Sequence, residues 1–454
     1  MNPQIFRAYD IRGIADRDLT DEVASAVGKA YGTFIRRMGG KRVALSRDCR
    51  LSSERLFRAM SQAILLTGVD VVDVGIGPSP LLYWSVFHLD TDGGLQITGS
   101  HNPGDQNGFK MMAGKRTLHG EDIVALKALI ERQDFERPAP HDEGQLSHAD
   151  IGAAYVRDVV SRLSFGERKI KVAIDGGNGT GGPIAMALMK ALGAHVDAHG
   201  LFIPMDGHFP NHHPDPTVEE NLADLRRAVL EDGFDLGIAY DGDGDRIGVL
   251  DDRGEVLWGD RLMILLSRAL LAKNPGATIV GEVKCSQTLF ADIAKHGGRP
   301  VMGAVGHSII KDRMKAEGAL LAGEMSGHIF YAERWYGFDD AIYVTARLLE
   351  ILSHSDKPLS ALLADVPRTF VTPELRLDCD DHKKFDVVAQ ATAHYGARHP
   401  VVTIDGARID FGDGWGLIRA SNTQPVIVLR AESESEAALG RIRAELEGFV
   451  ARHG

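Results

Sequence analysis

Cysteine, long apolar runs and net positive charge are all scarce in this sequence. The 454 residues include only three cysteines, Cys49, Cys285 and Cys379. Their odd number and wide spacing match no disulfide framework, metal-binding spacing or redox pair, so we expect a reducing compartment. The most apolar stretch, residues 262–272, is short and contains Arg268, which predicts no membrane-spanning helix. Because the N-terminus lacks the apolar segment of a secretory signal, we expect a cytoplasmic protein.

The charge balance excludes two classes of partner. Lysine and arginine number 51 against 63 aspartates and glutamates, a formal net charge of −12. Such a chain is a poor match for nucleic acid or for a membrane, although local basic sites can still bind a small anion. The 44% hydrophobic content indicates a globular protein, and 454 residues predict about three domains. No segment indicates an obligate protein partner.

One pattern of strand, turn, helix, glycine and strand occurs three times, at residues 42–73, 171–196 and 278–301. Each copy is a β-α-β unit, which predicts three related α/β domains. After residue 367 the pattern changes to short strands, a helix near 383–394 and a closing helix over 433–450, which predicts a smaller α+β domain. We therefore place four domains at 1–148, 149–251, 252–366 and 367–454.

The stretch at residues 98–110 holds the first candidate for chemistry. It reads T-G-S-H-N-P-G-D-Q-N-G-F-K, and its Gly, Asn and Pro indicate a loop with tight turns. Because an apolar strand precedes it, we expect Ser100 at a strand end, where open α/β sheets place their chemistry. The hydroxyl of Ser100 can carry an acyl or a phosphoryl group.

The acyl alternative has little support in this stretch. A nucleophile elbow needs G-x-S-x-G, and Asn102 stands where the second glycine would be. Adjacent side chains of an extended chain point to opposite sides, so we expect His101 to face away from Ser100. A phosphoryl carrier and an ordinary surface turn remain as interpretations.

An acidic turn, D-G-D-G-D-R at residues 241–246, lies between two apolar strands. Its carboxylates, Asp241, Asp243 and Asp245, alternate with glycine and can converge on one point. Oxygen ligands of this kind suit Mg²⁺, and three like charges without a cation would repel. An EF-hand would need Gly and Glu where Arg246 and Asp252 stand. A solvated acidic turn is the remaining alternative.

A glycine-rich turn offers a competing function. Residues 177–182 read G-N-G-T-G-G between a predicted strand and helix, and Asp197 follows about twenty residues later. This pattern is typical of a dinucleotide site, and it would make the protein a dinucleotide-dependent oxidoreductase. The mid-chain position and the presence of Asp175 directly before the glycines speak against that function. A plain tight turn is the other interpretation.

Three further segments combine turn residues with polar side chains. The first is F-R-A-Y-D-I-R-G at 6–13, and the second is G-E-M-S-G-H at 323–328. In the second, Glu324 and Ser326 can hydrogen-bond neighbouring hydroxyls of a sugar. The third, R-A-S-N-T-Q-P at 419–425, joins one arginine to several hydroxyl and amide groups. Arginine makes bidentate contacts to phosphate, so this loop is a candidate phosphate site.

These motifs, in this order along the whole chain, resemble those of the α-D-phosphohexomutases. The family has an active-serine loop like T-G-S-H-N-P, a metal loop D-G-D-G-D-R, a sugar loop G-E-x-S-G-H and a phosphate loop R-x-S-N-T-x-P. It also has a glycine-rich turn that binds no nucleotide. The resemblance implies an α/β fold in which three α/β domains and a C-terminal α+β domain surround a central cleft. Met325 resembles the bacterial phosphomannomutase/phosphoglucomutase branch, whereas the phosphoglucosamine branch, our alternative, usually has Gln there.

The resemblance implies reversible phosphoryl transfer between the 1- and 6-positions of glucose or mannose phosphates. The implied cofactors are Mg²⁺ and hexose 1,6-bisphosphate, the latter as activator and intermediate. The implied metal ligands are Ser100, here as phosphoserine, with Asp241, Asp243 and Asp245. The implied catalytic residues are Ser100, Arg12 and Arg246, with His101, Lys110 and His307 as alternatives for the general base. The implied substrate-binding residues are Tyr9, Lys284, His307, Glu324, Ser326, His328, Arg419, Ser421, Asn422 and Thr423.

Overall fold

The computed structural model describes residues 1–422 and 424–454, which form four β-sheets with helices packed on them. Three sheets contain parallel strands, and the fourth is antiparallel. The predicted class, three related α/β domains and a C-terminal α+β domain, is confirmed. The divisions after residues 148, 251 and 366 stay predictions, because sheet pairing alone does not define a domain boundary.

The first sheet has seven strands. They are β1 Ile11–Ile14, β2 Arg42–Arg47, β3 Asp70–Ile76, β4 Gly93–Ile97, β5 Gln106–Ala113, β6 Arg116–Thr117 and β7 Leu146–His148. The helices of this unit are α1 Asp21–Arg37, α2 Ser53–Leu65, α3 Ser79–His88 and α4 Glu121–Arg132. The strand order is β1-β5-β4-β2-β3-β7, with β6 beside β5.

The second sheet has five strands, β8 Ile170–Asp175, β9 Val196–Leu201, β10 Leu236–Tyr240, β11 Ile247–Leu250 and β12 Val256–Leu257. Its helices are α5 Gly152–Ser161, α6 Gly181–Leu192 and α7 Ala223–Asp232. The third sheet has four strands, β13 Thr278–Glu282, β14 Arg299–Gly303, β15 Leu321–Gly323 and β16 Ile329–Tyr331. Its helices are α8 Gly259–Lys273, α9 Gln287–Lys295, α10 His307–Glu317, α11 Ala341–Ser353 and α12 Leu359–Leu362.

The fourth sheet has six strands. They are β17 Phe370–Val371, β18 Leu375–Asp378, β19 Val401–Val402, β20 Ala407–Asp410, β21 Gly414–Ala420 and β22 Val426–Ser433. Its helices are α13 Lys384–Gly396 and α14 Glu436–His453, and short 3-10 helices elsewhere lie at Pro3–Ile5, Pro140–Asp142, Gly193–His195 and Glu219–Leu222. The predicted closing helix was placed too early: residue 433 ends β22, and the side chain of Ser435 caps α14 by accepting from Ala438 N.

The first three sheets repeat one strand order. A central strand, β2, β8 or β13, has a parallel neighbour on each side. One of those neighbours, β4, β10 or β15, then pairs with an antiparallel strand, β5, β11 or β16. The turn between these last two strands is therefore the same structural position three times. It carries residues 98–105, 241–246 and 324–328, the three segments with the most distinctive sequence motifs.

The apolar cores differ in size and in the number of units that they join. The largest core joins the second and third sheets to α3 of the first unit. A second core fills the space between the first sheet and α1 and α2, and a third lies between the fourth sheet and its two helices. A small cluster of Val283, Trp415 and Leu417 connects the fourth unit to the third. Within the described ranges, no helix is both long and apolar enough to cross a membrane.

The glycine-rich turn at residues 177–182 packs against the acidic turn. Thr180 N donates to the Gly242 carbonyl at 3.0 Å, and a Cβ added at Gly179 would lie 2.7 Å from the same oxygen. At the start of α6, a Cβ at Gly181 would lie 3.3 Å from Gly244 Cα. The helix N-terminus that would receive a pyrophosphate is therefore covered by protein.

The remaining element of the dinucleotide pattern is also out of place. Asp197 is exposed on β9, where its carboxylate lies 3.6 Å from Lys169 Nζ. The dinucleotide interpretation is therefore wrong. The glycines serve close packing between two backbone turns, a requirement that produces the same sequence pattern.

We predict that Gly179→Ala lowers the midpoint of thermal unfolding, because its new methyl group would overlap the Gly242 carbonyl. Overpacking of this kind costs roughly 1–3 kcal/mol. The control is Gly440→Ala in α14, where an added Cβ meets nothing within 4 Å. That change should raise stability by about 0.5–1 kcal/mol, since alanine is the better helix former. Equal stability of the two variants would contradict the packing argument.

Candidate active site

The serine loop, residues 98–105, leaves β4 and turns back into β5. Ser100 is buried, with 1% of its surface exposed, and its backbone is left-handed with φ of +50°. This conformation costs a non-glycine residue roughly 1–2 kcal/mol. Ser100 Oγ donates to Asp241 Oδ2 at 2.7 Å, which connects the first unit to the second. The predicted position of Ser100, after an apolar strand, is confirmed.

His101 faces Ser100, and the expectation that it points away is wrong. Its Nδ1 lies 3.2 Å from Ser100 Oγ. Side chains alternate only along an extended chain, and the left-handed residue at Ser100 breaks that alternation. Burial, followed by the charges of Arg246 and Arg12, lowers the pKa of His101 well below its usual value. The imidazole beside the serine is therefore neutral.

The carboxylates of Asp241, Asp243 and Asp245 converge in the protein interior. All three residues are fully buried, and one oxygen of each lies within 4.8 Å of the others. Burial and the neighbouring carboxylates raise the pKa of both Asp241 and Asp245. Two of the oxygens, Asp243 Oδ1 and Asp245 Oδ1, have no hydrogen-bond partner in the part of the chain that the structure describes.

Lys110, on β5, supplies a counter-charge to these carboxylates. Its Nζ donates to Asp243 Oδ2 at 2.7 Å and to Asp245 Oδ2 at 2.5 Å. Burial alone would lower the pKa of Lys110, but the two carboxylates hold it well above its usual value. A protonated amine cannot accept a proton, so this ion pair favours a counter-charge role for Lys110, and its role as the base stays a prediction. The ammonium group of Lys110 thus balances part of the negative charge of the three aspartates, for which the sequence predicts a metal ion.

The acidic turn still fits a divalent cation. A buried carboxylate oxygen without a donor is costly, and two such oxygens belong to the aspartates whose carboxylates converge. Mg²⁺ accepts oxygen ligands in this number and leaves room for a phosphate oxygen. Asp241, Asp243 and Asp245, with Ser100 beside them, would hold the ion.

Arg246 connects the acidic turn to the third unit. Its Nε donates to His328 Nε2 at 2.9 Å, and the two residues also form a backbone bridge. On the other side of the imidazole ring, His328 Nδ1 lies 3.1 Å from Asp339 Oδ2. His328 is therefore held between a guanidinium and a carboxylate, with its ring nitrogens in fixed directions.

His307 lies beside this pair at the first position of α10. It stacks on His328 with ring centroids 5.6 Å apart, and its Nδ1 is 3.6 Å from Asp339 Oδ2. Both of its ring nitrogens are buried without a hydrogen-bond partner among the described residues. Burial and the charge of Lys311 lower the pKa of His307 well below its usual value. A neutral imidazole with an unused nitrogen can contact substrate.

The N-terminal segment brings two predicted site residues to the same place. Arg12 Nε donates to Asp10 Oδ2 at 2.6 Å, and one terminal nitrogen lies 3.4 Å from Asn102 Oδ1 in the serine loop. Tyr9 connects three units: its hydroxyl donates to the Val305 carbonyl at 2.9 Å and accepts from Asn422 Nδ2 at 2.7 Å.

The sugar loop, residues 324–328, is the equivalent turn of the third unit. Glu324 Oε1 accepts from Gly306 N at 2.6 Å, which joins the loop to the start of α10. Beneath the loop, Glu282 Oε1 accepts from Met325 N at 3.1 Å. Lys284, another predicted contact, lies 3.1 Å from Glu374 of the fourth unit. Ser326 is half-buried in the same loop.

The phosphate loop lies between β21 and β22 of the fourth sheet. Arg419 Nε donates to Asp405 Oδ2 at 2.8 Å, and the same oxygen accepts from Val305 N at 2.9 Å. Ser421 is buried next to Asn422, and Asn422 reaches Tyr9 as described above. Thr423, also predicted to bind substrate, lies outside the described residues.

Several residues that shape the site carry no recognisable motif. Asp339 lies within 3.6 Å of two histidines, Asp405 accepts from Arg419, and Glu282 accepts from the backbone of the sugar loop. Asp339 precedes Asp340, which caps α11 by accepting from Tyr343 N. In the sequence, the two aspartates therefore indicate only the start of a helix. One aspartate is enough to cap a helix, so the sequence leaves Asp339 without a structural role. That surplus aspartate is the signal by which sequence reasoning could have found it.

Comparison with known proteins identifies the family. Models of the phosphoglucomutase/phosphomannomutase family match four consecutive segments. The alpha/beta/alpha domains I, II and III match residues 3–137, 153–254 and 258–370, and the C-terminal domain matches residues 374–448. The chain belongs to this family.

Individual relatives of this phosphoglucomutase/phosphomannomutase family member span almost its full length. A phosphomannomutase/phosphoglucomutase of Pseudomonas putida is 45% identical over 441 residues, which cover 97% of this chain and 94% of the relative. A phosphoglucomutase of Neisseria gonorrhoeae is 44% identical, with 98% and 96% covered. The crystal structure of a phosphoglucomutase/phosphomannomutase family protein from Burkholderia thailandensis superposes with a TM-score of 0.92 at 41% identity, covering 99% of this chain and 97% of that one.

We predict that the carboxyl group of Glu282 makes the stability of this family member depend on pH. Burial raises the pKa of Glu282 from its ordinary 4.5 to about 7. The folded protein therefore keeps this proton where the unfolded chain loses it, so its stabilising contribution is complete below pH ~4.5 and is lost as pH rises to ~7. Glu282→Gln removes this titration. The difference between the unfolding midpoint of Glu282→Gln and that of wild type should increase in favour of the variant as the pH is raised from 5 to 8.

The control for this measurement is Glu143→Gln, which removes one carboxylate from the exposed surface. An identical pH dependence for wild type and Glu282→Gln would show that Glu282 is not protonated in the folded protein near neutral pH.

Proposed function

We propose that this chain is a phosphohexomutase that interconverts the 1- and 6-phosphates of glucose, mannose or both. It is thus an isomerase that works by phosphoryl transfer, through a phosphoserine at Ser100 and a hexose 1,6-bisphosphate intermediate. The observation that carries the proposal is the buried hydrogen bond from Ser100 Oγ to Asp241 Oδ2. It sets a hydroxyl at a strand end against the acidic turn.

In this proposal, phosphoserine at Ser100 donates its phosphoryl group to a free hydroxyl of the hexose monophosphate. Asp241, Asp243 and Asp245 would hold a Mg²⁺ ion, which would supply charge neutralisation at the transferred group. The charges of Arg12 and Arg246 both act on His101, beside Ser100, and add positive charge there. Protein side chains thus supply positioning and electrostatic stabilisation.

A base must accept the proton of the attacking hydroxyl. Of the candidates from the sequence, Lys110 is ion-paired, His101 lies against Ser100, and His307 has two unused ring nitrogens. His328 stacks on His307, and its Nδ1 lies 3.1 Å from Asp339 Oδ2, but its Nε2 already accepts from Arg246. We favour His307 over Lys110 for this role.

The bisphosphate intermediate must turn so that its second phosphate meets Ser100. In our proposal, Arg419, Ser421, Asn422 and Thr423 hold whichever phosphate is not reacting. Glu324 and Ser326 contact sugar hydroxyls in both orientations, with Tyr9, Lys284 and His307 around them. The contacts of Tyr9 with Val305 and Asn422 support closure of the fourth unit over the ligand. Small-molecule hexose phosphates are thus the partners, and the cytoplasm is the proposed location.

We predict that Ser100→Ala abolishes mutase turnover, because no hydroxyl remains to carry the phosphoryl group. Intact-mass measurement should find a phosphorylated fraction in wild type and none in the variant.

Chelation of divalent cations should stop wild-type turnover, and Mg²⁺ should restore it. Coupled assays with glucose 1-phosphate, mannose 1-phosphate and glucosamine 1-phosphate then separate the proposed activity from a phosphoglucosamine mutase.

Ser147→Ala is the control, since Ser147 is an exposed serine on β7. It should keep both the phosphorylated fraction and full turnover. Full turnover of Ser100→Ala would end the phosphoserine mechanism, and binding of sugar phosphates without conversion would indicate a binding protein.

We predict that Arg419→Ala weakens the binding of 1-phosphate and 6-phosphate sugars to the same extent. The reason is that one loop binds the non-reacting phosphate in both orientations of the substrate. A charged hydrogen bond contributes about 1.5–3 kcal/mol, so affinity should fall roughly tenfold to a hundredfold. Ser100 should still be phosphorylated by hexose 1,6-bisphosphate, but at higher concentrations. The measurement is the Michaelis constant in both directions of the reaction.

Arg441→Ala matches this change in charge, since Arg441 pairs with Asp413 on the surface of the same unit. It should leave both constants unaltered. A loss confined to one isomer after Arg419→Ala would mean that the intermediate does not reuse this loop, and the reorientation step would have to be abandoned.

A further inference from the structure

The serine loop rests on a buried arginine that no sequence motif singles out. Arg50, in the turn after β2, is only 2% exposed. Its Nη1 donates to the carbonyls of Pro103 at 2.6 Å and Gln106 at 3.0 Å. Its Nη2 donates to the carbonyls of Ser100 at 2.7 Å and Asn102 at 2.6 Å. One guanidinium group thus binds four backbone carbonyls between residues 100 and 106.

Asp48 fixes both this guanidinium and the start of the loop. Its Oδ2 lies 3.2 Å from Arg50 Nε and accepts from Gly99 N at 3.1 Å. Its Oδ1 accepts from the backbone nitrogen of Arg50 at 2.9 Å and from Ser53 Oγ at 2.5 Å. The fit is close, because a Cβ at Gly99 would lie 2.5 Å from Arg50 Cζ. Asp48 and Arg50 together therefore bind amide and carbonyl groups along the whole loop.

These contacts explain how Ser100 keeps an unfavourable backbone conformation. A left-handed serine needs restraint from its surroundings. The carbonyl of Ser100 itself binds Arg50, so the guanidinium sets the orientation of the peptide plane that follows the serine. Lysine could not replace this device, because its single nitrogen cannot present the planar set of donors that spans four carbonyls.

We propose that Arg50 is a positioning residue for phosphoryl transfer. It keeps Ser100 in the left-handed turn that directs Oγ to Asp241, and the hydrogen bonds and ion pair of its guanidinium are to the loop backbone and Asp48. The inference rests on the proposed function of Ser100. A displacement of the nucleophile by about 1 Å costs about a hundredfold in rate, whereas the binding contacts in the third and fourth units stay in place. Loss of Arg50 should therefore lower kcat and leave KM nearly unchanged.

The test compares Arg50→Lys with Arg47→Lys. Arg47 lies on the same stretch of chain and is largely buried, but it pairs with Glu54 and Asp73. We expect kcat to fall roughly tenfold to a hundredfold in Arg50→Lys, with KM within about twofold of wild type. The rate at which hexose 1,6-bisphosphate phosphorylates Ser100, followed by intact mass, should fall in parallel. Arg47→Lys should keep both rates within about twofold of wild type.

Chemical rescue separates positioning from a general loss of structure. Millimolar guanidinium chloride should restore part of kcat to Arg50→Ala, ammonium chloride should not, and neither should raise kcat in Arg47→Ala. If the Arg50 variants do not fold, Asp48→Asn loosens the guanidinium without emptying its site, and it should lower kcat in the same way.

Two results would overturn the proposal. One is an equal kcat for the two lysine variants, and the other is a loss that appears in KM instead of kcat. Failure of the proposed function looks different, because wild type itself would then neither turn over hexose phosphates nor carry a phosphoryl group on Ser100.

Discussion

The hydrogen bond from Ser100 to Asp241 is the contact on which the arrangement of the site depends. Its acceptor belongs to a group of three buried carboxylates, and buried charges are costly unless they are paired. Lys110 offsets part of that cost by donating to Asp243 and Asp245. The serine loop and the acidic turn are thereby drawn together, and Arg246 extends the connection to His328 in the third unit.

A repeated unit explains why the chemistry gathers at one place. The serine loop, the acidic turn and the sugar loop occupy the same turn in three copies of one sheet. Each turn is held by an antiparallel pair of strands on its own sheet, so its position is as rigid as the sheet that carries it. Three units arranged around a centre then suffice to bring together a hydroxyl, a set of carboxylates and the polar side chains of the third turn.

Much of this architecture was predictable from the sequence, because apolar periodicity and glycine turns mark strands and helices locally. The three β-α-β units and the strand before Ser100 were found in that way. The left-handed turn at Ser100 was not, because it depends on Arg50 and Asp48, about fifty residues earlier in the chain. The pairing of Lys110 and the role of Asp339 were missed for the same reason: each depends on a partner in another part of the fold. The glycine-rich turn at residues 177–182 suggested a dinucleotide site because close backbone packing and pyrophosphate binding both require glycine at these positions.

The fourth unit meets the third through a small apolar cluster, Val283 with Trp415 and Leu417. Most of the other contacts are polar: Lys284 pairs with Glu374, Arg408 donates to the carbonyls of residues 283 and 285, and Glu432 accepts from Ser286. Separation of the two units therefore exposes little apolar surface, so it carries only a small heat-capacity change. The Lys284–Glu374 pair is largely buried, so salt screens it only weakly. Contact between the third and fourth units therefore depends on matched polar groups more than on buried apolar area.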